Sequence, residues 1–239
     1  MERRSFLKSS ISVCATSVFL SSGRLWAQLN DSELNAYTQR LSNDDLLQLQ
    51  LPFPTRLVKN PQDIPVEVSL KPVIARRYSS HVYILFELSR GITIFNGLGE
   101  QFSSIPLPEK VGHIRDFAVD EKRQRIFIAS GNTHSIYVIN FHGQIQNIFG
   151  EFGIELPHQL SGIKSITSDE RGLVHVLNAY SNNVKVFDGQ GIYQFSYAPS
   201  AFERGATLSS IDGYQTIRLL GGKFRDILYT FDMYGRPAG

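Results

Sequence analysis

The sequence predicts an all-β fold, a β-propeller of about four four-stranded blades, because one template recurs four times along the chain. Each copy ends in Asn or Asp followed three residues later by glycine, and these glycines are 44, 48 and 44 residues apart. A period of roughly 40 to 50 residues with several short strands in each unit is typical of propeller blades. The four glycines are Gly99, Gly143, Gly191 and Gly235.

Each copy predicts short strands in a constant order. The innermost strand contains small residues, and the next two are mostly rich in the β-branched and aromatic residues that suit a half-buried sheet. The Asn/Asp-x-x-Gly ending predicts a hairpin, because Asn or Asp bonds its own backbone and glycine takes positive φ without a steric cost. The innermost strands are predicted at 72–75, 116–120, 164–169 and 208–211, the second strands from Val82, Ile126, Val174 and Arg218, the third at 92–96, 136–140, 184–188 and 228–232, and the outer ones at 100–105, 144–149 and 192–197.

Ring closure depends on the fourth copy, which has no outer strand after Gly235. The alternating segment 66–70 belongs to no copy, and we expect it to pair with residues 228–232 and so protect the open edge. Two alternatives stay open. Residues 46–70 could form a degenerate fifth blade, or a partner chain could complete a ring of five or six blades.

The third copy resembles an NHL repeat through segments 162–172, 174–179 and 182–188 and through Gly191. The second copy is similar, the first and fourth are degenerate, and the NHL-like propeller spans residues 66–239. Members of this family usually have six blades. Some relatives resemble lyases of amidated-peptide processing that hold a metal with central histidines. The resemblance therefore implies a Zn or Ca site, with His113 and His158 as candidates before the second and third inner strands.

The residues themselves predict no cofactor. None of the six histidines stands at a metal-ligand spacing such as H-x-x-x-H. The other interpretation of His113 and His158, which the residues themselves favour, is that they are loop histidines near the rim. No nucleophile elbow, phosphate-binding loop or partnered carboxylate pair is evident, so no catalytic residue is predicted.

The N-terminus predicts an export signal over residues 1–27. Twin arginines followed by Ser-Phe-Leu-Lys match the twin-arginine (Tat) signal of bacteria, so we expect export to the periplasm by the Tat machinery and cleavage after Ala27. A cytosolic tail or short membrane anchor is the alternative. The only cysteine, Cys14, falls in this segment, so the mature chain would have no thiol. No other stretch approaches a transmembrane span, so we expect no stable membrane anchor after cleavage. The motif consists of Arg3, Arg4, Phe6, Leu7 and Lys8.

Residues 28–65 predict a short helix and a Pro-rich linker. The helix is expected at 31–41, with apolar Leu34, Tyr37 and Leu41 on one face. Removing residues 1–27 takes away four basic residues and one acidic residue, which changes the net charge from +2 to −1. A nearly neutral mature chain disfavours nucleic-acid binding, which needs clustered Lys and Arg.

Charged residues on the predicted inner strands are the remaining candidates for a site. If they point to the axis, they would line a polar channel suited to an anionic ligand, and otherwise they are solvated rim charges. They are Arg76, Arg77, Arg115, Asp116 and Lys164. The sequence therefore predicts a periplasmic, non-catalytic binding or scaffold module for a protein or peptide partner. The alternative is a metal-dependent hydrolase or lyase with its site in the central channel.

Overall fold

The computed structural model describes residues 38–51, 53, 55–59, 65–181, 183–198, 206–211, 214–219 and 227–238. They form a mostly β, propeller-like structure with one α-helix and two short 3-10 turns, Glu109–Val111 and Glu121–Arg123. The Tat motif and residues 31–37 lie outside the described residues. The sequence copies form unit 1 (72–106), unit 2 (114–149), unit 3 (163–197) and unit 4 (207–231).

The elements in chain order are β1 (Thr38–Leu41), α1 (Asn43–Leu49), β2 (Thr55–Lys59), β3 (Pro65–Ser69), β4 (Pro72–Tyr78), β5 (His81–Phe86), β6 (Gly91–Phe95), β7 (Gln101–Pro106), β8 (Ile114–Asp120), β9 (Arg125–Ser130), β10 (Ile136–Asn140), β11 (Ile145–Phe149), β12 (Glu151–Phe152), β13 (Gln159–Leu160), β14 (Ile163–Ser168), β15 (Val174–Asn178), β16 (Asn183–Phe187), β17 (Tyr193–Tyr197), β18 (Thr207–Ile211), β19 (Tyr214–Leu219) and β20 (Ile227–Phe231).

Consecutive strands pair antiparallel within every unit. Units 2 and 3 are separate four-stranded sheets, whereas units 1 and 4 belong to one eight-stranded sheet in the order β20-β19-β18-β1-β4-β5-β6-β7. The inner strands contact one another in the order β4, β8, β14, β18, β1 and back to β4. The units are therefore arranged around a common axis, as the repeat predicts.

Strand β1 links unit 4 to unit 1. It pairs antiparallel with β4 over four residue pairs and with β18 through Thr38 and Ser210. The Arg40 backbone N–H also donates to the Ser209 hydroxyl at 3.1 Å. The ring is thus joined at its inner strands by an N-terminal segment that the sequence did not predict to be a strand.

The expected role of residues 66–70 is wrong. Strand β3 pairs with β2 from Thr55↔Ser69 to Lys59↔Pro65, not with residues 228–232. The physical reason is proximity along the chain, since a hairpin closes a short loop at a much smaller entropic cost than a contact across the whole molecule.

The predicted helix at 31–41 is wrong over residues 38–41, which form β1, and the α-helix among the described residues is α1. Ser42 starts α1 with a capping box, in which its hydroxyl accepts from the Asp45 N–H and the Asp45 carboxylate accepts from the Ser42 N–H. Leu46 lies buried on unit 1. Residues 46–49, at the start of the degenerate fifth blade considered for residues 46–70, therefore lie in a helix and not in a strand.

Unit 4 departs from the template. In the described residues it has three strands, and β19 begins at Tyr214 rather than at Arg218. The segment from Tyr214 carries the aromatic and β-branched residues Tyr214, Thr216 and Ile217, whereas the predicted copy runs into Gly221. Strand preference therefore outweighed the constant spacing of the other copies.

The hydrophobic core consists of layers between neighbouring units. Three clusters lie between units 1 and 2, units 2 and 3, and units 3 and 4. A fourth cluster covers the remaining face of unit 1 with Leu46 and Leu51 from the N-terminal segment. Phe53 adds an edge-on contact with Phe86, with ring centroids 5.5 Å apart. Residues 38–53 therefore occupy the place that a preceding unit takes elsewhere.

The hairpin prediction is confirmed at all four turns. The φ angles of Gly99, Gly143, Gly191 and Gly235 lie between +78° and +84°. In unit 2, the Gly143 N–H donates to the Asn140 carbonyl at 2.9 Å, and the Asn140 side-chain oxygen accepts from the backbone N–H groups of His142 and Gln144. The Asn/Asp positions are therefore turn formers.

The turn glycine of unit 2 also makes a close contact with the preceding unit. A Cβ on Gly143 would lie 2.3 Å from the Pro106 carbonyl oxygen, whereas one on Gly99 would meet only Leu51 at 3.5 Å. A Cβ on Gly191 would likewise lie 2.4 Å from the Cβ of Phe149, and one on Gly235 would lie 2.4 Å from the Cβ of Tyr197.

We expect Gly143→Ala to lower the free energy of unfolding by about 2 kcal/mol or more, because positive φ and steric conflict add together. Gly99→Ala is the matched control, with nearly the same φ and open space, and should cost about 1 kcal/mol. Chemical denaturation measures both values. Equal losses would contradict the close contact between units.

Candidate functional site

Five chain segments meet at the axis in one buried polar network. The Arg76 guanidinium of unit 1 donates to the Asp116 carboxylate of unit 2 at 2.6 Å and to the Leu208 carbonyl of unit 4 at 2.8 Å. The Ser165 hydroxyl of unit 3 donates to Asp116 at 2.6 Å, and Arg40 of β1 lies 3.3 Å from the same carboxylate. Units 1 and 3 and the closing strand therefore contact the Asp116 carboxylate of unit 2, and unit 4 joins the network through Arg76.

Arg76 and Asp116 are both fully buried, and the charge of each shifts the pKa of the other. Burial lowers the pKa of Arg76 to about 10, although the charge of Asp116 opposes the shift. Burial alone would raise the pKa of Asp116, but the charges of Arg76 and Arg40, with hydrogen bonds from Ser165 and Ile166, hold it below its ordinary value. Both groups are ionised at neutral pH. Among the described residues, the Arg76 Nε is the one buried side-chain nitrogen or oxygen without a hydrogen-bond partner.

The structure separates the five charged residues that the sequence grouped. Arg76 and Asp116 are brought together, but they are packed against each other rather than around an open channel. Arg115 is exposed, and Lys164 is half-buried, with its pKa lowered by burial and by the nearby charge of Arg115. Arg77 is half-buried, and its guanidinium donates to the Ser79 carbonyl at 3.4 Å.

The two candidate metal ligands, His113 and His158, lie at exposed positions. His113 is exposed beside Gly131, and His158 is paired with Glu151 at 3.1 Å with about half of its side chain exposed. In the described part of the chain, no three His, Cys, Asp or Glu residues are grouped as a metal site would require. The described residues do not bring His113 and His158 together with a third ligand, and the zinc or calcium site that the NHL resemblance implies stays a prediction.

A buried histidine lies within unit 3. His175 on β15 is fully buried, its Nδ1 lies 3.0 Å from the Tyr197 hydroxyl, and its Nε2 lies 3.3 Å from Asp169. A neutral imidazole with its proton on Nε2 satisfies both partners, as acceptor from Tyr197 and donor to Asp169. Burial lowers the pKa of His175, and the neighbouring Asp169 only partly offsets this.

We expect His175 to make the fold sensitive to acid. Because its pKa is lowered in the folded state, the unfolded chain binds this proton more readily, and stability falls as the pH drops below the ordinary value of about 6.5. Replacing His175 with glutamine should reduce the stability difference between pH 7.5 and pH 5.5 by about 1 kcal/mol. Denaturation at the two pH values measures this. An unchanged difference would mean that His175 binds its proton equally in both states.

The connection between units 2 and 3 displays apolar side chains that sequence reasoning missed. Phe152, Ile154 and Leu156 are 66%, 63% and 49% exposed. Their alternation was visible in the sequence, but it also suits a half-buried strand. We call residues 151–160 the display loop.

The display loop is held firmly at its base. Strands β12 and β13 pair in parallel, and the Gln159 side chain accepts from the backbone N–H groups of Glu155 and Leu156. Lys185 donates to the carbonyls of Leu156 and Gln159 at 3.1 and 2.7 Å. The exposed side chains are therefore presented by an ordered backbone, which lowers the entropic cost of binding.

No family model matches the chain, and no curated protein matches it in sequence, so the NHL resemblance stays a prediction. Among the described residues, no helix is both long and apolar enough to span a membrane.

Several solved structures resemble the chain at low identity. Kuenenia stuttgartiensis hydrazine synthase is 13% identical over 67% of this chain and 45% of its own, with a TM-score of 0.46. The Neurospora crassa Pan2 WD40 domain is 14% identical over 73% and 54%, with a TM-score of 0.46. A protein of unknown function from Bacteroides caccae is 12% identical over 85% and 72%, with a TM-score of 0.45. The chain thus spans less than half of the first of these proteins, and likenesses at this level assign it no function.

Proposed function

We propose that the chain is a four-bladed, NHL-type β-propeller that the Tat route exports to the periplasm, where it serves as a non-catalytic binding or scaffold module for a protein or peptide partner. The observation that carries the proposal is the display loop. Large apolar side chains on a firmly held backbone are typical of a surface that binds another molecule. Units 1 to 4 are the blades, and β1 closes the ring.

The axis supports the same proposal. A site for substrate or metal at the centre would need accessible polar groups, whereas Arg76 and Asp116 are committed to each other and to the backbone of units 3 and 4. Function on such a fold depends on sites placed around it rather than on the fold itself. The binding surface is therefore sought on the loops.

Selection from a displayed peptide library tests the binding proposal. Peptides selected on residues 28–239 should bind at least about tenfold more weakly, about 1.4 kcal/mol, to a variant with Phe152, Ile154 and Leu156 changed to serine. The control variant carries serine at Leu88, Leu98 and Ile192, which are at least about as exposed, and should bind as the wild type does. Failure to select any peptide, or equal loss in both variants, would contradict the proposal.

The alternative, a metal-dependent hydrolase or lyase, makes a different expectation. Metal analysis of the purified mature chain would then find one equivalent of zinc or calcium that is lost on His113→Ala. That result would overturn the scaffold proposal.

Export is tested separately. Changing Arg3 and Arg4 together to lysine should leave the precursor in the cytoplasm, because the signal depends on that pair. Cell fractionation measures this, and unchanged periplasmic accumulation would refute the Tat assignment.

A further inference from the structure

A cavity of about 260 Å³ lies between units 1 and 2, and none of its lining residues belongs to the axial network or to the display loop. Its walls include aromatic rings from both units: His81 and Phe102 are stacked with centroids 5.8 Å apart, and Tyr83 meets Phe141 edge-on at 6.3 Å. Its volume is near the lower end of ligand pockets, which start at about 300 Å³, and suits a group the size of one side chain.

A partly buried carboxylate lies in this cavity. The Glu121 Oε1 accepts from the Tyr83 hydroxyl at 2.6 Å and lies 3.0 Å from the His81 Nδ1, and its side chain is 22% exposed. In the described part of the chain, nothing is hydrogen-bonded to its other oxygen, Oε2. Burial raises the pKa of Glu121, although Tyr83 and His81 oppose this. An ionised Glu121 would therefore gain from a cationic partner.

The internal repeat indicates which chemical group the cavity suits, because the equivalent positions of unit 2 can be compared with it. His81 and Arg125 are the first residues of the equivalent strands β5 and β9, and Tyr83 and Phe127 are the third. Between units 2 and 3, the Arg125 guanidinium lies 4.9 Å from the centre of the Phe127 ring, bonds to Asp120 at 2.9 Å and donates to the Gly172 carbonyl at 2.8 Å. An arginine of the chain itself thus fills the equivalent space.

The boundary between units 3 and 4 also contains an arginine of the chain itself. Arg171, from the turn between the first two strands of unit 3, bonds to Asp169 at 2.8 Å and to the Met233 carbonyl at 2.5 Å. Its guanidinium lies 5.6 Å from the centre of the Tyr234 ring. In unit 1 this turn is Ser79-Ser80, followed by His81, with no arginine. Among the described residues that line the cavity between units 1 and 2 there are therefore aromatic rings and a carboxylate, but no arginine.

We propose that the cavity between units 1 and 2 binds a guanidinium group, supplied by an arginine side chain of a partner protein or peptide. The cation would face the Glu121 carboxylate and the rings of Tyr83 and Phe102, as Arg125 faces Asp120 and Phe127. The inference rests on the proposed binding function and names one side chain of the partner.

Titration with N-acetyl-arginine amide at pH 8, followed by NMR, tests the inference. The wild-type chain should bind it saturably and at least tenfold more tightly than N-acetyl-citrulline amide, the neutral isostere. Glu121→Gln should lose at least tenfold in affinity, whereas Glu170→Gln, at the equivalent exposed position of unit 3, should lose nothing. His81→Arg should abolish binding by placing the chain's own guanidinium in the cavity. Denaturation of each variant checks that it remains folded.

Equal binding of the two amides, or equal losses in Glu121→Gln and Glu170→Gln, would overturn the inference even if library peptides bind at the display loop. The other mixed result is binding of the arginine amide when no library peptide can be selected. It would support the guanidinium site but contradict the proposed protein or peptide partner. A free guanidinium compound would then be the ligand.

Discussion

Asp116→Asn is expected to lower the free energy of unfolding by about 3–5 kcal/mol, because it leaves the buried Arg76 charge without its counterion. The asparagine side chain has nearly the same shape, so the loss would come from charge rather than from packing. Asp116 is also the group to which Ser165 and Arg40 are bound, so units 1 to 3 and β1 should all be loosened. Chemical denaturation measures the effect.

Two variants make this expectation specific. Asp188→Asn is the matched control, because asparagine occupies the equivalent turn position in units 1 and 2 as Asn96 and Asn140, and it should be nearly neutral. Adding Arg76→Met to Asp116→Asn should recover part of the loss, since the uncompensated buried cation is then removed. A loss below about 1 kcal/mol for Asp116→Asn would contradict the buried pair.

Deleting residues 28–41 from the mature chain is expected to abolish cooperative unfolding. The deletion removes β1, which exposes the backbone edges of β4 and β18 and removes Arg40 from Asp116. Open strand edges favour aggregation, so insoluble or dye-binding protein should accumulate. Circular dichroism during heating and size-exclusion chromatography measure the two effects.

The control removes the other N-terminal strands. Replacing residues 55–69 with a short Gly/Ser linker deletes the β2–β3 hairpin, which in the described part of the chain pairs only with itself. This variant should keep a cooperative transition. The opposite pattern, with the hairpin required and residues 28–41 dispensable, would restore closure by residues 66–70.

The repeat allowed the turns and most strands of units 1 to 3 to be predicted, because Asn140, Gly143 and their equivalents satisfy local rules within a few residues. Strand β1 could not be predicted in this way. Its sequence, Thr-Gln-Arg-Leu, has no alternation, and its conformation comes from two edges that lie far away along the chain. Local reasoning therefore failed where tertiary pairing decides the structure.

The candidate sites too were predictable only where local sequence decides the structure. Placing Arg76 and Asp116 on inner strands brought them near the axis, but only packing decides that they face each other instead of a channel. The display loop has an alternating pattern that is ambiguous without knowing which face is covered. The cavity at Glu121 was partly readable, since comparing the copies shows His81 where unit 2 has Arg125. What that comparison lacks is the distance between neighbouring units.

A disulfide between β1 and β18 tests most directly the central claim that β1 closes the ring around the filled axis. Residues 28–239 contain no cysteine, and Thr38 and Ser210 are paired residues of antiparallel strands, whose Cα atoms are about 4.5–5.5 Å apart and suit a disulfide. The variant with cysteine at both positions should form the bond under mild oxidation and gain about 2–4 kcal/mol in unfolding free energy. A second variant, with cysteine at Val68 and Thr230 to test the expected pairing of 66–70 with 228–232, should stay reduced. Free thiols at 38 and 210, or a bond between 68 and 230, would contradict closure by β1.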